Sequence, residues 1–144
     1  MSPDLIRYKF IEKFGRVEYK EFVLSLYEAF PLRDRLFFWQ EQLIEKIFND
    51  LNIPQPTIGE VYSVFNYCPI HDVKLNADIV PIIDGNKLGW ALSYREKKKH
   101  FPMANVNAPR DLDRFKYPEN VEILYCSICR EQRLLNMPFP DTIK

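Results

Sequence analysis

The chain has 144 residues, of which 47% are hydrophobic and 15% aromatic, so it can bury a core and differs from the apolar-poor composition of a disordered protein. Its 20 Lys and Arg balance 20 Asp and Glu, which excludes a whole-molecule field that attracts nucleic acid or an anionic membrane. The three cysteines cannot all pair, and neither a signal peptide nor an uncharged apolar run of about 18 residues is visible, so we expect a soluble cytoplasmic protein without a disulfide framework.

Three helices are predicted in the first part of the chain. An apolar stripe with helical spacing predicts a helix over residues 17–29, and a longer stripe faced by charged side chains predicts a second over about residues 32–51. Thr57 and Glu60 have the spacing of a capping box ahead of an apolar run. This spacing predicts a short third helix over about residues 58–65.

The helical periodicity fades after residue 66, so we expect a helical N-terminal part over residues 1–66 and a second part over residues 67–144. In the second part, enrichment in Ile and Val predicts strands, a charged stretch predicts a helix, and Pro, Asn and Asp predict a long loop. In chain order these elements are a strand over 77–83 that runs into a turn at 84–86, a helix over about 91–100, a loop over 102–120 and a strand over 121–125. Residues 88–100 stay open between strand and helix, because residues 88–92 could instead continue a hairpin.

Two short segments share one pattern and hold every cysteine of the chain. Tyr67-Cys68-Pro69-Ile70-His71 and Tyr125-Cys126-Ser127-Ile128-Cys129 both have Tyr, Cys, any residue, Ile and a second soft ligand. Two such donors three residues apart on a turn can bind one ion, and thiolates with an imidazole suit tetrahedral zinc. Because 54 residues separate the pairs, only the tertiary fold can bring them together. The sequence therefore predicts a Zn²⁺ site formed by Cys68, His71, Cys126 and Cys129.

Other interpretations of these residues are weaker. Three buried thiols and a surface histidine would need no metal, but scattered cysteines have no reason to repeat a spacing together with its flanking Tyr and Ile. A redox couple of Cys126 and Cys129 would leave Cys68 and His71 unexplained, and the βαβ setting of such couples is missing. Four ligands close the coordination shell, so we expect a structural ion rather than a catalytic one, and we predict no catalytic residue.

A dense basic cluster lies in the predicted helix over 91–100, and with its neighbouring aromatic residues it could contact phosphates and stack on bases. A solvated helix face is the alternative interpretation. The cluster consists of Arg95, Lys97, Lys98 and Lys99. Phe37, Phe38 and Trp39 likewise suggest either a partner-binding edge or a core contribution.

Short sequence motifs around the two ligand pairs extend the pattern over about residues 66–132. They are Cys68-Pro-Ile-His71, Val80-Pro-Ile82 followed by Gly85, Phe101-Pro102 with Ala104, and Leu124-Tyr-Cys-Ser-Ile-Cys-Arg130. In these motifs the C-terminal half resembles a bacterial zinc-ribbon-like protein family of unassigned function. The resemblance implies a structural metal and a cytoplasmic, bacterial setting, and it supplies neither a substrate nor a reaction.

We therefore expect an α+β fold in which N-terminal helices pack on a small zinc-ribbon-like antiparallel sheet, the two parts forming one compact unit. The expected function is that of a zinc-binding, non-enzymatic module that interacts with an unknown protein partner, without a membrane. The alternative is a nucleic-acid-binding zinc ribbon that uses residues 95–100, and an enzyme is the third class. An enzyme would be distinguished from both by its zinc coordination, because a catalytic zinc binds a water molecule in place of one of the four side chains.

Overall fold

The computed structural model of the protein describes residues 2–28, 32–84, 95–110 and 120–135. The chain divides into two compact units, Met1–Ile70 and His71–Lys144, whereas the sequence patterns change at residue 66. Unit 1 is helical and unit 2 contains a small sheet with helices, which confirms an α+β fold with N-terminal helices. Among the helices of these described ranges, none has the length and apolarity that crossing a membrane requires.

Unit 1 begins with a helix that the sequence patterns miss. α1 buries a narrow face formed by Ile6, Arg7 and Phe10, and a face that includes an arginine gives little apolar periodicity. Gly15 alone connects α1 to α2: its N–H donates to the Ile11 carbonyl, and its φ of 90° lies in the region that favours glycine. The helices of unit 1 are α1 (Pro3–Phe14), α2 (Arg16–Leu26), α3 (Phe38–Asp50) and α4 (Ile58–Val64).

The predicted helices agree with α2, α3 and α4 in their interiors and differ at some ends. α2 ends at Leu26 rather than at residue 29, and α3 begins at Phe38 rather than near residue 32. The later start of α3 has a local cause, because Phe37 is extended and its N–H donates to Gln40 Oε1 at 2.8 Å. Gln40 is 2% exposed and donates from Nε2 to Ser25 Oγ at 2.8 Å, so this buried amide fixes where the helix begins.

α4 confirms the predicted capping box. The Thr57 hydroxyl accepts from the Glu60 N–H at 3.2 Å, and the Thr57 N–H donates to Glu60 Oε1, also at 3.2 Å. These bonds satisfy donors that the first turn of a helix leaves without intrahelical partners.

The core of unit 1 is aromatic. The Phe10, Phe22 and Phe65 rings meet at centroid distances of 4.9 to 5.8 Å in tilted and edge-to-face geometries. Tyr27 Oη lies 3.1 Å from the carbonyl oxygen of Phe65, so the end of α4 is tied to the end of α2. Burial raises the pKa of Tyr27 well above its ordinary value, and the hydroxyl remains a neutral donor.

Unit 2 is built on a three-stranded sheet in which β1 is central. β3 pairs antiparallel with β1 from Asn76 to Pro81, and β2 pairs parallel with it from Ile82 onward. Pro81, which has no N–H to donate, is the last residue of β1 that pairs with β3 in the described part of the chain. The elements of unit 2 are β1 (Asn76–Asp84), helical residues 95–100 (α5), β2 (Ala108–Arg110), β3 (Asn120–Tyr125) and α6 (Ser127–Leu135).

The predicted strands over 77–83 and 121–125 and the second half of the helix over 91–100 are confirmed. The predicted loop over 102–120 is wrong at residues 108–110, which form β2 against the end of β1. α6 has no counterpart among the predicted elements. The predicted turn at 85–86, the residues 88–94 and the loop residues 111–119 lie outside the described part of the chain.

Candidate metal centre

Unit 1 positions Cys68 through the residues that follow α4. Arg7, which is 6% exposed, donates from Nη1 to the Val64 carbonyl at 2.7 Å. Its guanidinium also lies over the Tyr67 ring, with the guanidinium carbon 3.7 Å from the centroid. These contacts hold both the end of α4 and the residue before Cys68, whose side chain is fully buried.

The second pair of cysteines lies where β3 leads into α6. The Cys126 carbonyl accepts from the Arg130 N–H at 3.1 Å, and its Sγ accepts from the Cys129 N–H at 3.3 Å, so Cys126 caps the helix that contains Cys129. Cys126 therefore stands both at the end of β3 and at the start of α6, and Cys129 lies in the first turn of that helix.

A buried segment, residues 101–105, supports this helix start. The Met103 carbonyl accepts from the Cys126 N–H at 2.7 Å. Arg130 donates from Nε to the Ala104 carbonyl at 2.6 Å and from Nη2 to the Asn105 carbonyl at 2.8 Å. A buried loop needs partners for its backbone groups, and Cys126 and Arg130 provide them from one turn of α6.

Arg130 also reaches the sheet. Its Nη1 donates to Asp78 Oδ2 at 2.8 Å, and its guanidinium carbon lies 3.5 Å from the centroid of the Tyr125 ring. The hydrogen bond from Arg130 holds the pKa of Asp78 below its ordinary value of 3.8. One side chain thus connects α6, β1, the end of β3 and the segment 101–105.

The four predicted ligands come together in the fold. One donor atom from each of Cys68, His71, Cys126 and Cys129 can be chosen so that all lie within 4.8 Å of one another. His71 Nδ1 lies 3.5 Å from Cys126 Sγ and 3.5 Å from Cys129 Sγ. The cysteines are 0 to 1% exposed, and His71 is partly exposed. The cluster therefore lies close enough to hold one metal ion.

The other ring nitrogen of His71 faces α6. His71 Nε2 lies 3.2 Å from Gln132 Oε1, so the amide oxygen can accept a hydrogen bond from the ring. Asp72, the neighbouring carboxylate in sequence, is exposed and has a φ of 55°. The sequence patterns did not reveal Gln132, because a single glutamine after a CxxC pair forms no recognisable motif. Only a predicted helix over α6 would have placed Gln132 on the same side as Cys129.

The four residues predicted to contact nucleic acid differ in their exposure to solvent and in their bonding within the fold. Arg95 and Lys99 are exposed, whereas Lys97 is 6% exposed, and Lys98 donates from Nζ to Asn105 Oδ1. Successive residues of a helix are rotated by about 100°, so Lys97, Lys98 and Lys99 point in different directions. Arg95 and Lys99, four positions apart, lie on the same face. Contact with nucleic acid stays a prediction.

The surface of unit 1 around α3 has exposed aromatic side chains at the start of the helix and a groove with acidic side chains along it. Phe38 is 72% exposed at the start of the helix, whereas Trp39 is 41% exposed and lies edge-on to the core ring of Phe22. A groove of about 500 Å³ follows the same helix, and its lining includes Glu41 and Glu45 beside apolar side chains. The predicted edge at residues 37–39 thus has exposed and core-contacting members.

The fold and the cluster define an α+β protein with a Cys3His group able to hold a metal ion. Comparisons of the chain with protein-family models, with curated proteins and with solved structures give no match.

Proposed function

We propose that the Cys3His group binds zinc. In a tetrahedral zinc centre with bonds of about 2.3 Å to sulfur and about 2.05 Å to nitrogen, each sulfur lies about 3.6 Å from the nitrogen. The two separations between His71 Nδ1 and the sulfurs of Cys126 and Cys129 are both 3.5 Å. This agreement is the observation that carries the proposal. Thiolate and imidazole donors also suit zinc better than the hard cations that prefer oxygen.

The proposed ion has a structural role. Four side chains complete a tetrahedral shell, and a catalytic zinc ordinarily keeps one position for water. Metal binding by such sites supplies apparent free energies of about 10 to 16 kcal/mol in zinc peptides, which is folding free energy when the site does not exist in the unfolded chain. The ion would then hold Cys68 and His71 against the start of α6.

A non-enzymatic interaction module in the bacterial cytoplasm, of the zinc-ribbon-like family that the sequence resembles, fits this chemistry. Support for a protein partner comes from the exposed Phe38 ring at the start of α3 and from the groove along the same helix, since aromatic residues are enriched at interfaces. The basic residues give less support to nucleic acid, because Lys97 is buried and Lys98 is bonded within unit 2. An electrophoretic shift at low salt separates these two roles.

The zinc proposal is tested by the metal content of the purified chain. We expect about one zinc per chain by elemental analysis, and loss of it in His71→Ala. The matched control is His100→Ala, which removes the other histidine at a side chain that is 54% exposed and paired with Glu96. Cys126→Ser adds a second test, because serine still caps α6 but is a poor zinc ligand. A metal-free wild type that keeps its full structure in chelator would refute the proposal.

A further inference from the structure

The four donors of the metal centre differ in their access to solvent. Cys68 and Cys126 are 0% exposed and Cys129 is 1% exposed, whereas His71 is partly exposed. The imidazole is therefore the ligand that an incoming chelator or a departing ion meets first. Whatever holds the ring in place also controls access to the sulfurs behind it.

The geometry around the ring fixes which nitrogen faces the ion. Nδ1 points at the sulfurs of Cys126 and Cys129, 3.5 Å from each, and Nε2 lies 3.2 Å from Gln132 Oε1. An amide oxygen only accepts, so a hydrogen bond here requires the hydrogen on Nε2 and directs the Nδ1 lone pair toward the two sulfurs, where a metal ion would bind. The opposite tautomer would direct an N–H at the ion and lose the bond to Gln132.

Gln132 belongs to the helix that Cys126 caps and that contains Cys129. It lies one turn beyond Cys129, at a spacing of three residues, which places neighbouring side chains on adjoining parts of a helix face. α6 and its capping residue therefore supply two thiolates, and α6 also supplies the acceptor for the histidine that completes the set. Metal-bound histidines in general depend on such a partner for their tautomer and orientation.

From this arrangement we propose that Gln132 is the positioning residue for His71, and that the His71–Gln132 pair sets the rate at which the metal enters and leaves the centre. The inference rests on the proposed zinc function, and it adds that zinc enters and leaves the centre on the side of the His71 ring. It assigns no catalytic role to either residue.

The test compares three variants of the full chain loaded with zinc. In Gln132→Ala we expect zinc transfer to a chromogenic chelator to be roughly tenfold faster or more, in line with the loss of metal affinity when such partners are removed. Gln132→Glu keeps an acceptor oxygen at the same reach and should restore slow transfer. Glu131→Ala is the matched control, because it alters the neighbouring exposed position of α6.

Two further readouts separate positioning from a loss of fold. The Co²⁺-loaded Gln132→Ala chain should show altered visible absorption bands, and long-range ¹H–¹⁵N spectra of its zinc form should show the His71 ring no longer held as the Nε2–H tautomer. Far-UV circular dichroism of the zinc forms should stay unchanged. Variants that bind zinc with wild-type exchange rate and spectra would overturn the inference while leaving the zinc centre intact.

Equal acceleration in Gln132→Ala and Gln132→Glu would also overturn it, because the acceptor would then be irrelevant. Equal acceleration in Glu131→Ala and Gln132→Ala would contradict it as well, since any change on α6 would have the same effect. A wild-type chain that takes up neither Zn²⁺ nor Co²⁺ removes the zinc function and this inference together.

Discussion

The Arg130 guanidinium stabilises unit 2 through all three of its nitrogens. Its three nitrogens each donate to a different group: the carbonyls of Ala104 and Asn105 and the carboxylate of Asp78. Lysine could reach one of these acceptors but could not serve all three directions at once. The residue therefore stabilises the start of α6 without touching the proposed ion.

For Arg130→Met we expect the free energy of unfolding of the zinc-loaded chain to fall by about 2 kcal/mol, because hydrogen bonds to a charged group are lost and two carbonyls lose a donor. Urea denaturation at neutral pH measures the change, and Arg130→Lys should recover only part of it. Arg95→Met, on the exposed side of α5, serves as the control. Equal stability of Arg130→Met and the control would show that the network contributes nothing.

The sequence predicts the ligands well and their supports poorly. Cys68, His71, Cys126 and Cys129 repeat a spacing, so their pattern can be recognised without a fold. Gln132 acts through the turn of a helix that the sequence patterns did not reveal, and its contact to His71 spans 61 positions of the chain. Residues whose role depends on tertiary contacts leave no local pattern.

At the scale of elements, α1 and α3 are joined by an ion pair between Lys13 and Asp50 at their C-terminal ends. The hydrogen bond from Lys13 holds the pKa of Asp50 below its ordinary value of 3.8. A carboxyl whose pKa is lower in the folded state than in the unfolded chain stabilises the fold at pH values above the unfolded pKa. That contribution is lost as the pH falls through the lowered value.

Asp50→Asn should therefore be less stable than the wild type at neutral pH, and the difference should vanish at a pH below the lowered pKa of Asp50. Denaturant midpoints measured across the acid range test this, and added salt should reduce the difference, because both side chains are partly exposed. Glu21→Gln, an exposed change on α2, is the control. A difference that persists unchanged into strong acid would contradict the electrostatic explanation.

Elements with regular apolar spacing were predictable, and those set by single contacts were not. The interiors of α2, α3 and α4 follow their apolar stripes, and the strands β1 and β3 follow their Ile and Val content. The start of α3 depends on Gln40, whose buried amide donates to Ser25 of α2, and β2 exists because it pairs with the end of β1. Both depend on partners outside their own segment, which periodicity cannot detect.

For the whole molecule, the two units have different sources of stability. Unit 1 has a core of interlocking aromatic rings around Phe10, Phe22 and Phe65. The described part of unit 2 buries fewer large side chains, with Phe101 and Met103 as the largest apolar ones. We expect the proposed ion to supply much of the stability of unit 2.

Removal of zinc should therefore unfold unit 2 before unit 1. After treatment with a strong chelator under reducing conditions, amide hydrogen exchange should become fast in β1, β3 and α6 and stay slow in α2 and α3. Chelator already saturated with zinc is the control. Retained protection of the strands with melted helices would contradict this division of stability.

The position of Cys126 and Cys129 at the start of α6 also bears on the charge of the loaded centre. Three thiolates and one neutral imidazole around a divalent ion leave one net negative charge. The first turn of a helix carries roughly half an elementary positive charge, which opposes it. Cysteine in place of His71 would double the negative charge at that helix end, so a single histidine keeps the metal complex close to what α6 can neutralise.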